Sequence, residues 1–288
     1  MARTAATTIE LTRTTRFCVN DPSFGDVASQ IAGDPNGFNA KPAMRGLGRY
    51  YSVDVTARGE PDATTGYLID IKGIDRAVRA SVIPMIATAC HEDPTREPAT
   101  LLPELLDALR EALPVELASL RWNLTPVTSI TMTTDTRTSP TPTTVILRTR
   151  VDFAAAHRLH VASLSDEENQ RLFGKCNNPS GHGHNYQVEP AVEAPIPDTY
   201  EGGGAMPFTM HDLERLTDEA IVQAFDHTNL NTDPPDFSQA GVNPSVEHIA
   251  RVCYERLSKA IDATGSGARL REITVWETDR TRCTYPAS

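Results

Sequence analysis

At 288 residues and a formal net charge of −11, the chain has room for two ordinary domains and carries the wrong sign for a general nucleic-acid binder. Its 39% hydrophobic and 23% charged residues fit a globular protein, and no run of about 18 apolar residues suggests a membrane span. Five cysteines (Cys18, Cys90, Cys176, Cys253 and Cys283), scattered and odd in number, argue against a disulfide framework. Together with the lack of an apolar stretch in "MARTAATTIELTRTTRF", they point to the cytoplasm.

In chain order, "TTIELTRTTRFCV" and "RYYSVDVTARG" read as strands, with "TGYLIDI" beside them. Helix candidates "IDRAVRASVIPMIA" and "ATLLPELLDALREAL" follow, then the β-rich "SITMTTDTRT". The Thr- and Pro-rich "TRTSPTPTT" (136–144) has the composition of a connector. Beyond it, "TTVILRTRVDFAAAHRL" and "HNYQVEPAVEA" read as strands and "HDLERLTDEAIVQAF" as a helix. "PSVEHIARVCYERLSKAIDA" is a longer helix with Ile249, Val252, Cys253, Leu257, Ala260 and Ile261 on one apolar stripe. "REITVWETDRTRCTY" closes as a β-ribbon. Two strands, two helices and two strands thus occur twice, with a period of roughly 140 residues, which predicts two similar domains rather than a solenoid.

The chemistry concentrates in "GKCNNPSGHGHNY" (174–186). His182 and His184 lie two apart in a β-favourable run, so both imidazoles project from one strand face, as two ligands of one metal would. His157, in "FAAAHRL", is the third candidate, and three protein nitrogens with an open fourth position suit catalytic zinc. The flanking glycines let backbone approach closely. A polar turn is the plain alternative, but seven of the eight histidines lie beyond residue 156. Cys176, between Lys175 and the histidines, is either a thiol whose pKa those charges lower or a fourth ligand that closes a structural site. In "FDHTNLN", Asp226 can orient His227, a weak signal alone that also suits a metal hydrolase.

"FAAAHRL", "SDEENQRLFGKCNNPSGHGHNY", "DHTNLN" and "VWETD" together resemble the 6-pyruvoyltetrahydropterin synthases of the tunnelling-fold superfamily, over roughly residues 146 to 285. The six-residue step from Cys176 to His182 favours them over the related 6-carboxytetrahydropterin synthases of queuosine biosynthesis, which usually have a shorter one. The resemblance implies an α+β protein of two tandem tunnelling-fold domains, 1–137 and 145–288, each a four-stranded antiparallel sheet with two helices on one face. It implies Zn²⁺ on His157, His182 and His184, Cys176 as base, and Asp226 and His227 as a relay. Glu247 would anchor the pterin ring, and Glu277 would serve the pterin site or the relay. Ser245 is the one hydroxyl left of a pair usual in the family, since Val246 replaces the other. Lys175 and Arg158 are the candidate cations for a pterin triphosphate substrate. The turn 193–208 is longer than the family's hairpin.

Aligning "GLGRYY" (46–51) on "GHGHNY" puts Leu47 and Arg49 at the places of His182 and His184. The same alignment sets Lys41 against Cys176, Asp21 against His157, Ala87 and Thr88 against Asp226 and His227, and Thr134 against Glu277. The first half therefore reads as a copy without chemistry. Because the family builds its site between neighbouring units, the expectation is a homotrimer, with three second halves in one barrel and three first halves in the other.

Overall fold

The computed structural model describes residues 8–31, 39–134, 143–197 and 205–286. All but the last two residues of the connector 136–144 lie outside the described residues, as do 198–204 of the long turn. The chain divides into two compact units, Met1–Ile146 with Ile196–Met206, and Leu147–Pro195 with Pro207–Ser288.

In the first unit, β1 (Ile9–Val19), β2 (Arg49–Gly59), β3 (Glu116–Asn123) and β4 (Thr128–Thr133) pair antiparallel in chain order. The short α1 (Val27–Ile31) lies in the β1–β2 connection. Between β2 and β3 run α2 (Ile71–Ala77), a π-helical turn (Val78–Val82), α3 (Ile83–Glu92) and α4 (Leu102–Ala112). Val53, Val55 and Ala57 alternate into the core from β2, and Leu102, Leu105, Leu106 and Leu109 line the buried side of α4. Each such leucine contributes about 1.5–3 kcal/mol of burial. "TGYLIDI" is not a strand. Asp62 turns the chain by accepting from the Thr64 and Thr65 N–H groups, and Asp70 caps α2 by accepting from Lys72 N–H.

β5 (Thr144–Thr149), which crosses the division at Ile146, leads into β6 (Val151–His157) of the second unit, and both pair with β7 (His182–Pro195). β9 (Arg269–Thr278) pairs with β7, and β10 (Thr281–Tyr285) with β9, both antiparallel. The described strands exceed the four-stranded antiparallel sheet expected for the second unit: β5 and β6 are separate strands, and the two-residue β8 (Thr228–Asn229) adds to β6 in parallel. Its helices are α5 (Asp166–Phe173), α6 (Met210–Thr217), α7 (Gln223–Phe225), α8 (Pro235–Ser238) and α9 (Val246–Asp262), with a π-turn at Asp218–Val222 joining α6 to α7. Capping boxes start α5 (Ser165 with Glu168) and α6 (Thr209 with Asp212). The stripe of α9 is buried at Ile249, Val252, Cys253, Leu257 and Ile261 against β9 and β10, while Ala260 is half-exposed. No helix among the described residues is long and apolar enough to cross a membrane.

Candidate metal centre and active site

The histidine cluster follows from strand register. β6 and β7 pair so that His157 lies opposite His182 and Ala155 opposite His184. The period of two then puts all three imidazoles on one face of the sheet. Gly181 makes the approach possible: its φ is +70°, and a Cβ there would stand 3.1 Å from the His157 carbonyl oxygen. One ring nitrogen from each histidine falls within 4.8 Å of the others. His157 Nε2 and His182 Nε2 are 3.1 Å apart. His157 is fully buried, with Nδ1 2.7 Å from the Pro244 carbonyl oxygen, so Nδ1 carries the proton and Nε2 is free to bind. Burial pushes the pKa of His157 and His184 down, which keeps them neutral, the form a metal ligand needs.

Glu277 reaches the cluster from β9. Its Oε1 is 3.5 Å from His157 Nε2 and 3.8 Å from His184 Nε2. Tyr186 closes the inner side, stacking on Phe153 and placing its hydroxyl 3.3 Å from His157 Nδ1. Cys176 sits half-buried in a 3₁₀ turn, Gly174–Asn177, and the His157–His182–His184 group does not include it. The protein groups around its thiol act on its pKa as follows from their placement. Burial pushes it up and the Glu277 carboxylate adds to the rise, while Lys175 is exposed to solvent.

Asp226 and His227 form a pair of their own at the sheet edge. Asp226 accepts from Ala154 N–H at 2.8 Å through Oδ1 and meets His227 Nδ1 at 2.7 Å through Oδ2. Those two contacts, the backbone one first, hold the Asp226 carboxyl below the usual carboxylate range. His227 adopts φ +57°, rare for a residue with a side chain, and its N–H donates to the Ala154 carbonyl at 2.6 Å. The imidazole is 84% exposed, and among the described residues no hydrogen bond or ion pair joins it to Cys176 or the three histidines.

The remaining candidates scatter around this centre. Ser245 caps α9, accepting from His248 N–H, and also holds Glu247 below its ordinary value. Glu247 is exposed on the first turn. Arg158 is tied down by the Asn177 carbonyl and side-chain oxygens at 3.0–3.2 Å, and shares a surface depression with Arg171. Pro244, Tyr186, Asn177 and Asn231 were not singled out from sequence. Asn177, Tyr186 and Asn231 lie inside the quoted motifs, whereas nothing in the sequence marks the Pro244 carbonyl as a partner of His157.

Register also revises the comparison of the halves. Val19 pairs with Arg49 as Ala155 pairs with His184, which sets Asp21 at the place of His157, as read from sequence. Ser52 pairs with Asn123 and Gln187 with Trp276, so Leu124, not Thr134, takes the place of Glu277. Thr134 follows β4 and donates its hydroxyl to the Leu117 carbonyl. Counting from the start of each π-turn, Ile86 and Ala87, rather than Ala87 and Thr88, stand where Asp226 and His227 stand.

The family model described as 6-pyruvoyl tetrahydropterin synthase matches residues 146–288. A Homo sapiens 6-pyruvoyl tetrahydrobiopterin synthase is 40% identical over 136 residues, 47% of this chain and 87% of that protein. The Poecilia reticulata protein of the same name is 42% identical over 138 residues, covering 48% and 87%. The chain belongs to the 6-pyruvoyl tetrahydropterin synthase family. A solved structure of the Caenorhabditis elegans 6-pyruvoyl tetrahydropterin synthase is similar at 31% identity and a TM-score of 0.44, over 50% of this chain and 96% of that one. All three histidines, Cys176, the Asp226–His227 pair and Glu277 lie within the residues that the synthase family model matches.

Proposed function

We propose that the second unit converts 7,8-dihydroneopterin triphosphate to 6-pyruvoyl-5,6,7,8-tetrahydropterin with loss of triphosphate, using one zinc ion on His157, His182 and His184. The observation that carries this reading is the convergence of three imidazoles in which His157 Nε2 and His182 Nε2 stand 3.1 Å apart and His184 Nε2 is buried without a hydrogen-bond partner among the described residues. An unpaired buried polar atom costs about 1–3 kcal/mol, so a cluster of this kind is an explained feature only with a cation among the rings. Three ligating side chains and, among the described residues, no fourth suit an open site, not a closed structural one.

Bound zinc supplies Lewis acidity to the hydroxyls of the substrate side chain. Cys176 takes a proton from the side-chain carbon. His227, held at Nδ1 by Asp226, presents Nε2 to return one. Loss of triphosphate and conversion of two hydroxyls to carbonyls balances without an external redox cofactor. Glu277 and Glu247 offer carboxylates to the N–H donors of the pterin ring, and Lys175 and Arg158 face the triphosphate. The exposure of His227 supports a relay that serves Cys176 of a neighbouring chain, in a homotrimer of tandem tunnelling-fold domains with the second units in one barrel. The first unit is then a duplicate without chemistry, in a cytoplasmic enzyme.

The test is mass analysis of the pterin formed when the purified chain meets 7,8-dihydroneopterin triphosphate. The expected result is the 6-pyruvoyl product with intact triphosphate. A 6-carboxy product would move the chain to the other branch of the superfamily, and stepwise release of orthophosphate would make it a hydrolase.

A further inference from the structure

We propose that the first unit has a site for a small oxyanion of its own, in a cavity of about 120 Å³ lined by Arg49 and Tyr51 of β2, Trp122 of β3, and Cys90, Asp93 and Arg96 at and beyond the end of α3. That volume is enough for a phosphate or small carboxylate group.

Two independent features point to an anion. Trp122 is 3% exposed, and its indole N–H is buried with no hydrogen-bond partner among the described residues. Indole only donates, so the group that satisfies it is an acceptor. Arg49 is the second feature: its side chain lines the cavity together with Tyr51 and Cys90. A guanidinium fork at such a wall can grip an oxyanion through two parallel N–H donors. Arg96 adds positive potential but is already engaged by Glu104 at 2.5 Å and by Thr100. Asp93 lines the same cavity, which sets the balance against a highly charged polyphosphate and for a single small anion.

The position of the cavity gives the inference its meaning. Arg49 and Tyr51 hold the register places of His184 and Tyr186. Where the second unit gathers three neutral imidazoles for a cation, the first supplies a fixed cation and donors. The inference rests on the first unit alone and stands whatever reaction the second performs.

The test titrates the full chain, as purified, with inorganic phosphate and separately with acetate, by calorimetry and tryptophan fluorescence. One oxyanion per chain is expected in this cavity. Arg49→Gln should weaken it at least about tenfold, Arg49→Lys less, and Trp122→Phe should remove most of the fluorescence response and weaken binding, with turnover unchanged in all three. Tighter phosphate assigns a phosphate-class ligand and tighter acetate a carboxylate-class one; Arg158→Gln, in the second unit, should leave this isotherm in place. Identical isotherms for the unaltered chain and Arg49→Gln, or a full response in Trp122→Phe, would overturn the site.

Discussion

The same end of the sheet looks different in the two units. In the second, β6 and β7 bring His157, His182 and His184 together, and β9 brings Glu277. In the first, the matching places hold Asp21, Leu47, Arg49 and Leu124, and Leu47 lies fully open to solvent. The backbone under them is alike. Gly46 and Gly181 both take a left-handed φ, +58° and +70°, just before the strand, and each unit carries a π-turn, a rare feature, between its second and third α-helices. Beyond that turn the units part. The second breaks its helix at Phe225, freeing Asp226 and His227 to bond with Ala154. The first continues α3 to Glu92, which leaves Ile86 and Ala87 helical and buried. Scaffold and chemistry therefore separate. Substituting Asp and His at Ile86 and Ala87 would not reproduce the Asp226–His227 pair, because the backbone there stays helical.

Paired substitutions at matching places can break this comparison. The largest effect is expected for His182→Ala, which should strip the metal and abolish turnover, while Leu47→Ala changes neither; metal analysis beside the pterin assay checks both. Cys176→Ala should lower turnover by about 10²-fold or more with metal content intact, and Lys41→Ala should leave it unchanged. Loss of metal in Cys176→Ala would make the thiol a ligand. Mixing inactive Cys176→Ala chains with inactive His227→Ala chains under subunit exchange should recover part of the activity, since some interfaces would then hold both groups. No recovery despite proven exchange would place the relay elsewhere.

Two stability measurements sharpen the contrast at smaller scale. In the first unit Asp75 is buried and takes a two-pronged contact from Arg13 plus the Thr15 hydroxyl. Asp75→Ala should cost about 1–3 kcal/mol in urea unfolding, because it removes the buried acceptor of Arg13 and Thr15, while the Arg13 side chain, 29% exposed, can still reach water. In the second unit the Arg256 guanidinium holds the Asp236 carboxyl below the usual carboxylate range. A carboxylate depressed in the folded state adds stability above its unfolded pKa of about 4 and loses it as pH falls through the folded value. Asp236→Asn should therefore cost about 1 kcal/mol at neutral pH, the pair being partly open to solvent, with the gap closing in acid. A gap that persists at low pH would mean that packing, not charge, is what the pair provides.

The parts legible from sequence are those with a short-range signal. Period two put His182 and His184 on one face, and apolar spacing marked the long helix α9. Three features were missed: two depend on contacts between distant segments, and one on local turn and cap geometry. Thr134 was set against Glu277 because both fall in β-rich tails, whereas strand register gives the place to Leu124. "TGYLIDI" looked strand-like because its apolar residues outweigh Asp62 and Asp70, which act through turn and cap geometry. The rise in the Cys176 pKa comes from burial and from Glu277, a hundred residues away on β9, neither of which the neighbouring Lys175 reveals.

The division of labour between the units is tested most directly by counting metal in the active protein and locating it by anomalous scattering. One zinc per chain, at His157, His182 and His184, is the predicted result. A second ion near Leu47 and Arg49, or full activity in protein that holds none, would contradict it.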